Sequence, residues 1–226
     1  MKRFAIAIDG PNGAGKSTIA KEIARRLGCV YVDTGAMYRS VGLYALRKGV
    51  SSEDTSAIVG LLPEIDIRLE YREDGQHVFL NGEDVSSAIR VPEVSVFTSN
   101  VAKISEVRDT LLELQRKFAR EGSVVMDGRD IGTVVLPDAE VKIFLTASVE
   151  DRARRRYNEL IGRGQNVTFE EVKSDLEWRD KNDSTREIAP LRAAEDSVVV
   201  DTSGNEFEES VQQVLKVVEE QLNGKA

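Results

Sequence analysis

Residues 4–8 are apolar without a break, and after a glycine-rich stretch apolar positions recur every fourth residue, at Ile19, Ile23 and Leu27, before Gly28. An unbroken apolar run bounded by turn residues predicts a strand buried on both faces. A spacing of four predicts one face of a helix, and the glycine marks its end. The same rhythm continues along the chain. A second apolar run covers 29–32, and helical period covers 36–48 and stops at Gly49. Val107, Leu111, Leu114 and Phe118 predict another helix, closed by Gly122. Strands are predicted at 124–126, 141–145 and 198–200, and a helix at 169–183. A closing helix presents Val211, Val214, Leu215, Val218 and Leu222 on one face. Strands separated by helices predict an α/β fold with a mostly parallel sheet covered on both faces.

One segment breaks the rhythm. Ile65, Ile67, Leu69 and Tyr71 alternate with polar residues, Val78 and Leu80 alternate again, and the pairs Asp74-Gly75 and Asn81-Gly82 mark turns. This predicts a small antiparallel meander, an insert of about 63–90 in a core of 1–62 and 91–226. A length of 226 residues suits a single domain carrying such an insert. No internal repeat or low-complexity tract interrupts it.

The net charge of −8 argues against a nucleic-acid polymer as partner, so any polyanion site must be local. A single cysteine, Cys29, excludes an internal disulfide and reads as a small buried hydrophobe. With His77 as the one histidine, a Cys/His dyad or zinc site has no basis. The first apolar run ends at Asp9, too short for an export signal. No stretch approaches the roughly 18 apolar residues of a membrane span. The expectation is a cytoplasmic protein with no membrane partner, and a monomer.

Gly10-Pro11-Asn12-Gly13-Ala14-Gly15-Lys16-Ser17 fits G-x-x-x-x-G-K-[ST] between a predicted strand and a predicted helix. Glycines let the backbone wrap a phosphate chain with its N–H groups, and the helix directs its positive end at the same place. In such a P-loop Lys16 reaches the β- and γ-phosphates and the Ser17 hydroxyl ligates Mg²⁺. A mere glycine-rich turn would need neither. A GTPase would need a guanine-reading [NT]-K-x-D segment, and the nearest string, Asp180-Lys181-Asn182-Asp183, fails at its first position and lies in a predicted helix.

Arginines mark a second phosphate site. Asp33-Thr34-Gly35-Ala36-Met37-Tyr38-Arg39 follows the second strand, and Gly128-Arg129-Asp130-Ile131-Gly132 follows the third. Both lie just past strand C-termini, where α/β sheets bind ligands, and each offers an arginine suited to a monophosphate. A third basic stretch, Arg152-Ala153-Arg154-Arg155-Arg156, places Arg152, Arg155 and Arg156 on one side of a helix, with Arg154 as solvated surface. A solvated helix face is the plain reading; a lid closing over the transferring phosphate, at about 150–168 and relaxed by Gly162 and Gly164, is the functional one.

These strings, with Thr133-Val134-Val135 and Ala189-Pro190-Leu191, resemble the bacterial cytidylate kinases nearly end to end. The resemblance implies a five-stranded parallel P-loop nucleoside-monophosphate kinase fold with a small antiparallel β insert and a helical lid. It implies transfer of the γ-phosphoryl group of ATP to CMP or dCMP with Mg²⁺. ATP is expected on Gly10, Pro11, Asn12, Gly13, Ala14, Gly15, Lys16, Ser17 and Thr18. The resemblance assigns cytosine to Thr34, Ser99, Arg108 and Asp130, and the CMP phosphate to Arg39 and Arg129. Arg179, Asp183 and Arg186 match its ribose and phosphate stretch, although from the residues alone Arg179 and Arg186 read equally as surface ion pairs. Lys16, Arg129, Arg152 and Arg156 are expected around the reacting phosphates. Asp33 and Asp127 are expected to hold Mg²⁺ waters or loop backbone. Two alternatives stay open: a P-loop kinase for another small acceptor (UMP, AMP or a metabolite alcohol), and a nucleotide sensor without turnover.

Overall fold

The structure is a computed structural model describing residues 3–72 and 75–224. The chain divides into two compact units, Met1–Tyr31 with Glu121–Ala226, and Val32–Arg120.

In the first unit, the five predicted strands form one sheet. β1 (Ala5–Asp9) lies at its centre, between β6 (Val124–Gly128) and β7 (Val141–Thr146). β8 (Val198–Asp201) flanks β7, and β2 (Val30–Asp33), whose first half belongs to this unit, flanks β6. The pairings of β1 with β6 and β7, and of β7 with β8, are parallel. Every residue of β6 is buried, which is why Val124-Val125-Met126 reads as an unbroken apolar run. Helices α1 (Lys16–Leu27) and α8 (Phe207–Asn223) pack on the sheet through Ile19, Ile23, Val211, Val214 and Val218 against Ile6, Ile8, Ile143 and Leu145. Gly28, at φ 64, ends α1 where the pattern placed its end. Cys29 is half-buried against this core, and burial pushes its thiol up to about 11, the behaviour of the inert hydrophobe expected.

A helical hairpin leaves the sheet. α6 (Val149–Gly162) and α7 (Phe169–Thr185) enclose a small apolar cluster of their own, Ala153, Leu160, Val172 and Leu176, with Tyr157 and Phe169 meeting edge to face. Ser148 caps α6, and a capping box of Thr168 and Glu171 opens α7.

The second unit contains the meander, β3 (Ile67–Arg72), β4 (Gly75–Leu80) and β5 (Glu83–Asp84), antiparallel in that order. Asn81 and Gly82 both take positive φ, 50 and 84, the type I′ geometry that the pair predicts between β4 and β5. Of the other predicted turn, Asp74 lies outside the described residues. The unit also holds α2 (Thr34–Arg47), α4 (Pro92–Val101), the short α3 (Thr55–Leu61) and all but the last residue of α5 (Ser105–Glu121). α2 packs on α4 and on β4. Neither α3 nor α4 was marked by the hydrophobic pattern. Among the described residues no helix is long and apolar enough to cross a membrane.

Candidate functional site

In the first unit, residues 10–17 join β1 to α1 at the carboxyl edge of the sheet, where Asp9 pairs with Gly128 on one side and Phe144 on the other. Gly10 cannot be replaced in this path. A Cβ there would sit 2.0 Å from the carbonyl oxygen of Leu145, and its φ is 149. Gly13, at φ 74, lets the backbone of α6 approach, since its Cβ would lie 3.1 Å from both Cβ and the carbonyl oxygen of Arg152.

Charged side chains surround this loop. Lys16 is 6% exposed, and its Nζ donates to the Pro11 carbonyl at 2.7 Å. Burial pushes its pKa down to about 7, helped by the neighbouring charge of Arg129 and opposed by Asp127, Asp183 and Asp9. Ser17 Oγ donates to Asp127 Oδ2 at 2.8 Å, and the Tyr31 hydroxyl donates to Asp127 Oδ1 at 2.9 Å. A hydroxyl beside a carboxylate is the hard-oxygen donor set that suits Mg²⁺ when phosphate supplies further oxygens. Among the described residues no group of three or more His, Cys, Asp or Glu could hold a metal by itself.

Asp9 receives the backbone N–H groups of Ile131 and Gly132, both at 2.8 Å, and so fixes the π-helical turn Ile131–Val135 that follows Arg129 and Asp130. Burial raises the Asp9 carboxyl to about 6, against the two N–H groups that favour its charge. Arg129 Nε donates to Asp183 Oδ2 at 2.8 Å, and its Nη2 donates to the side-chain oxygen of Asn12. Asp130 is buried and pairs with Arg186 at 3.5 Å, while Arg186 Nε donates to the Ala189 carbonyl.

The three arginines read as one face of a lid separate. Arg152 is 5% exposed and is seated on the P-loop, its Nη1 donating to the Asn12 carbonyl at 2.8 Å and to Asp180 Oδ2 at 2.6 Å. Arg155 donates to the Thr202 carbonyl, and Arg156 pairs with Glu159 one helical turn on. Arg154 is exposed, the solvated surface expected, with its guanidinium over the Phe169 ring. Arg179 pairs with Asp175 on its own helix, the plain reading of that residue. α7 therefore delivers Asp180 and Asp183 to the loop. Sequence reasoning missed Asp9 and Asp180. The signal available was a carboxylate closing a buried strand for the first, and a spacing of three with Asp183 for the second.

In the second unit, Asp33 caps α2 by accepting the N–H of Ala36 at 3.0 Å and pairs with Arg90 at 2.8 Å. Burial works to raise its pKa, but the charges of Arg90 and Arg39 prevail and hold it below the usual carboxylate range. Thr34 is buried at the start of α2. Arg39 Nη1 donates to Ser95 Oγ at 3.3 Å, and Ser99 lies one helical turn further along α4. Arg108, on α5, is buried with its guanidinium 5.7 Å from the Tyr38 ring centre. The second unit thus brings Arg39 to α4 and Arg108 to α2. Ser95 was not foreseen, and nothing in its spacing marks it.

The cytidylate kinase family model matches residues 6–220. A cytidylate kinase of Caldicellulosiruptor bescii is 51% identical over 96% of both chains, and one of Carboxydothermus hydrogenoformans is 52% identical over 94% of this chain and 96% of its own. Among solved structures, a gluconokinase from Sinorhizobium meliloti superposes with a TM-score of 0.51 at 14% identity, covering 100% of this chain and 99% of its own. An uncharacterized protein from Eubacterium ventriosum gives 0.54 at 14% identity, over 96% of this chain and 99% of its own. These two share the fold.

Proposed function

The chain belongs to the cytidylate kinase family, and on that premise we propose how its residues divide the labour of the reaction. The reaction is transfer of the γ-phosphoryl group from ATP to CMP or dCMP. The observation that carries the assignment is the buried Lys16, held at the P-loop beside the Ser17–Asp127 pair. A lysine whose pKa is lowered to about 7 by burial is an unsolvated cation donor, and a triphosphate is the partner that restores its charge.

Residues 10–17 and Thr18 cradle the triphosphate with backbone N–H groups and the start of α1. Ser17 and Asp127 would hold Mg²⁺, directly or through its waters, and the ion would supply neutralisation of the phosphate charge. Arg129, Arg152 and Arg156 share the neutralisation of the transferring group. The CMP phosphate is already ionised near neutral pH, so its oxygen attacks the γ-phosphorus without a general base. The new P–O bond forms as the bond to the β,γ-bridging oxygen breaks, and ADP leaves. Thr34, Ser99, Arg108 and Asp130 read cytosine, the last accepting from its exocyclic amine. Arg39 and Arg129 take the CMP phosphate, and Arg179, Asp183 and Arg186 its ribose and phosphate. The separate apolar cluster of the α6–α7 hairpin supports its moving as a piece, the lid of 150–168 being part of it.

A coupled ADP-release assay against CMP, dCMP, UMP, AMP, GMP and shikimate tests the reading. CMP and dCMP are expected to turn over fast, UMP weakly and the others not at all. Lys16→Ala should lower kcat by about 10³-fold with the fold intact. Asp130→Ala should relax discrimination against UMP; unchanged selectivity in a folded variant would remove Asp130 from the base-reading set.

A further inference from the structure

α7 carries a carboxylate that its helix does not need. The apolar packing of α7 ends at Leu176, the last of its residues in the hairpin's apolar cluster. Beyond it, Asp180 reaches the P-loop. Its Oδ1 accepts the backbone N–H of Asn12 at 3.3 Å, and its Oδ2 accepts Arg152 Nη1 at 2.6 Å. A P-loop N–H and a buried guanidinium are two donors of the kind that stabilise a transferring phosphoryl group. A carboxylate presents to them what a phosphate presents: two oxygens and a negative charge. Asn12 stands on the limb of the loop away from α1, whose first N–H groups serve the inner phosphates.

We propose that Asp180 is an intramolecular stand-in for the γ-phosphoryl group: ATP displaces it and loosens the end of α7, whereas ADP leaves it in place. This rests on residues 10–17 being the triphosphate cradle. The coupling follows from charge. Asp180 and a terminal phosphate need the same two donors, and two anions on one guanidinium and one N–H repel. Displacement cuts one of the ties that hold the end of α7 to the loop and leaves Asp183 on Arg129 and Asn12, so the nucleotide state of the P-loop reaches Asp183 and Arg179 through the helix they share with Asp180. When the γ-phosphoryl group has been transferred, Asp180 returns to Asn12 and Arg152, which favours the ADP-bound state over the ATP-bound one. An ion pair that merely fastens α7 predicts the opposite sign, since cutting it would weaken binding of both nucleotides alike.

Asp180→Asn tests the sign. Arg152 keeps the Asn12 and Ala147 carbonyls, so the variant is not left with an orphaned guanidinium. Calorimetry with ATP·Mg²⁺ should show affinity raised about fivefold or more, with ADP affinity unchanged. Trp178, the single tryptophan, is 47% exposed two residues before Asp180 and reports the same event by fluorescence. In the wild type its emission should change with ATP and not with ADP. Weaker ATP binding in the variant, or equal shifts for both nucleotides, overturns the stand-in and leaves the cradle. Should the variant not fold, an identical Trp178 response to ATP and ADP in the wild type overturns it. Failure of wild-type protein to bind either nucleotide overturns the cradle reading and the stand-in with it.

Discussion

Two strands end in the same way and are treated oppositely. β1 closes on Asp9 and runs into Gly10; β2 closes on Asp33 and runs into Thr34 and Gly35. Both aspartates are buried, and both hold backbone N–H groups of the segment they organise. Yet Asp9 is raised to about 6 and Asp33 is lowered. Asp9 has Asp130 as a further anionic neighbour and meets Lys16 only as a minor influence, so burial prevails. Asp33 has Arg90 in hydrogen-bond contact and the charge of Arg39 besides. Burial alone does not set the charge of a carboxylate at a strand end; the cation within reach does.

The largest effect expected separates the two following glycines. Gly10→Ala should cost about 4 kcal/mol, because overlap with a backbone carbonyl adds to a φ that side chains avoid. Gly35→Ala should stay within about 1 kcal/mol, since its Cβ meets only the Asp33 side chain, at 3.2 Å, and alanine favours the helix. Urea midpoints measure both. Equal losses would mean that the β1 loop yields as readily as the first turn of α2.

The next effect is a reversal of sign with pH. Asp9 binds its proton more tightly folded than unfolded, so its contribution is full below the unfolded pKa of 3.8 and is lost as pH rises to about 6, by roughly 3 kcal/mol. Asp33 binds its proton less tightly folded, so its contribution is present above that same unfolded value and is lost as pH falls through the folded one. Stability against pH should therefore lose a falling limb in Asp9→Asn and a rising limb in Asp33→Asn. Limbs of the same sign in both variants would show that one environment governs both residues.

What the sequence disclosed and what it hid follow the same line between local and distant causes. All five strands of the parallel sheet were legible as apolar runs, four of them because they are buried along most of their length; β8, at the sheet edge with Val199 59% exposed, was legible from Val198-Val199-Val200 alone. The P-loop was legible because it is one contiguous string, although the partners that require Gly10 and Gly13, Leu145 and Arg152, lie far along the chain. α4 escaped notice: Val94, Phe97 and Val101 keep a helical spacing, but Val94-Ser95-Val96 alternates as a strand does and its valines are poor helix formers, so the pattern is ambiguous until α4 packs on α2. α3, with seven residues, is too short to show a period. In the site, the residue types were legible and their states were not. Arg152 was marked as a cation for phosphate, but nothing local shows that it is buried against Asn12, 140 positions away. Asp180 lies 168 positions from the loop it caps, and Asp9 lies 122 and 123 from the N–H groups it binds. Such partners appear only when the chain is folded.

The smallest effect is the sharpest test of the comparison. Arg90→Met keeps most of the side chain's stem and removes the cation that holds Asp33 down. The Arg90 side chain is 38% exposed, so solvent screens the pair, and the loss of stability at pH 7 should not exceed about 1 kcal/mol. The Asp33 carboxyl should nonetheless rise, followed by its carboxyl carbon resonance during an NMR pH titration. With Arg90 gone, burial is the largest influence remaining, and Asp33 should come to behave as Asp9 does. A carboxyl that stays low would give the credit to Arg39 and the Ala36 N–H, and the two strand ends would then differ by the cap of α2 rather than by one ion pair.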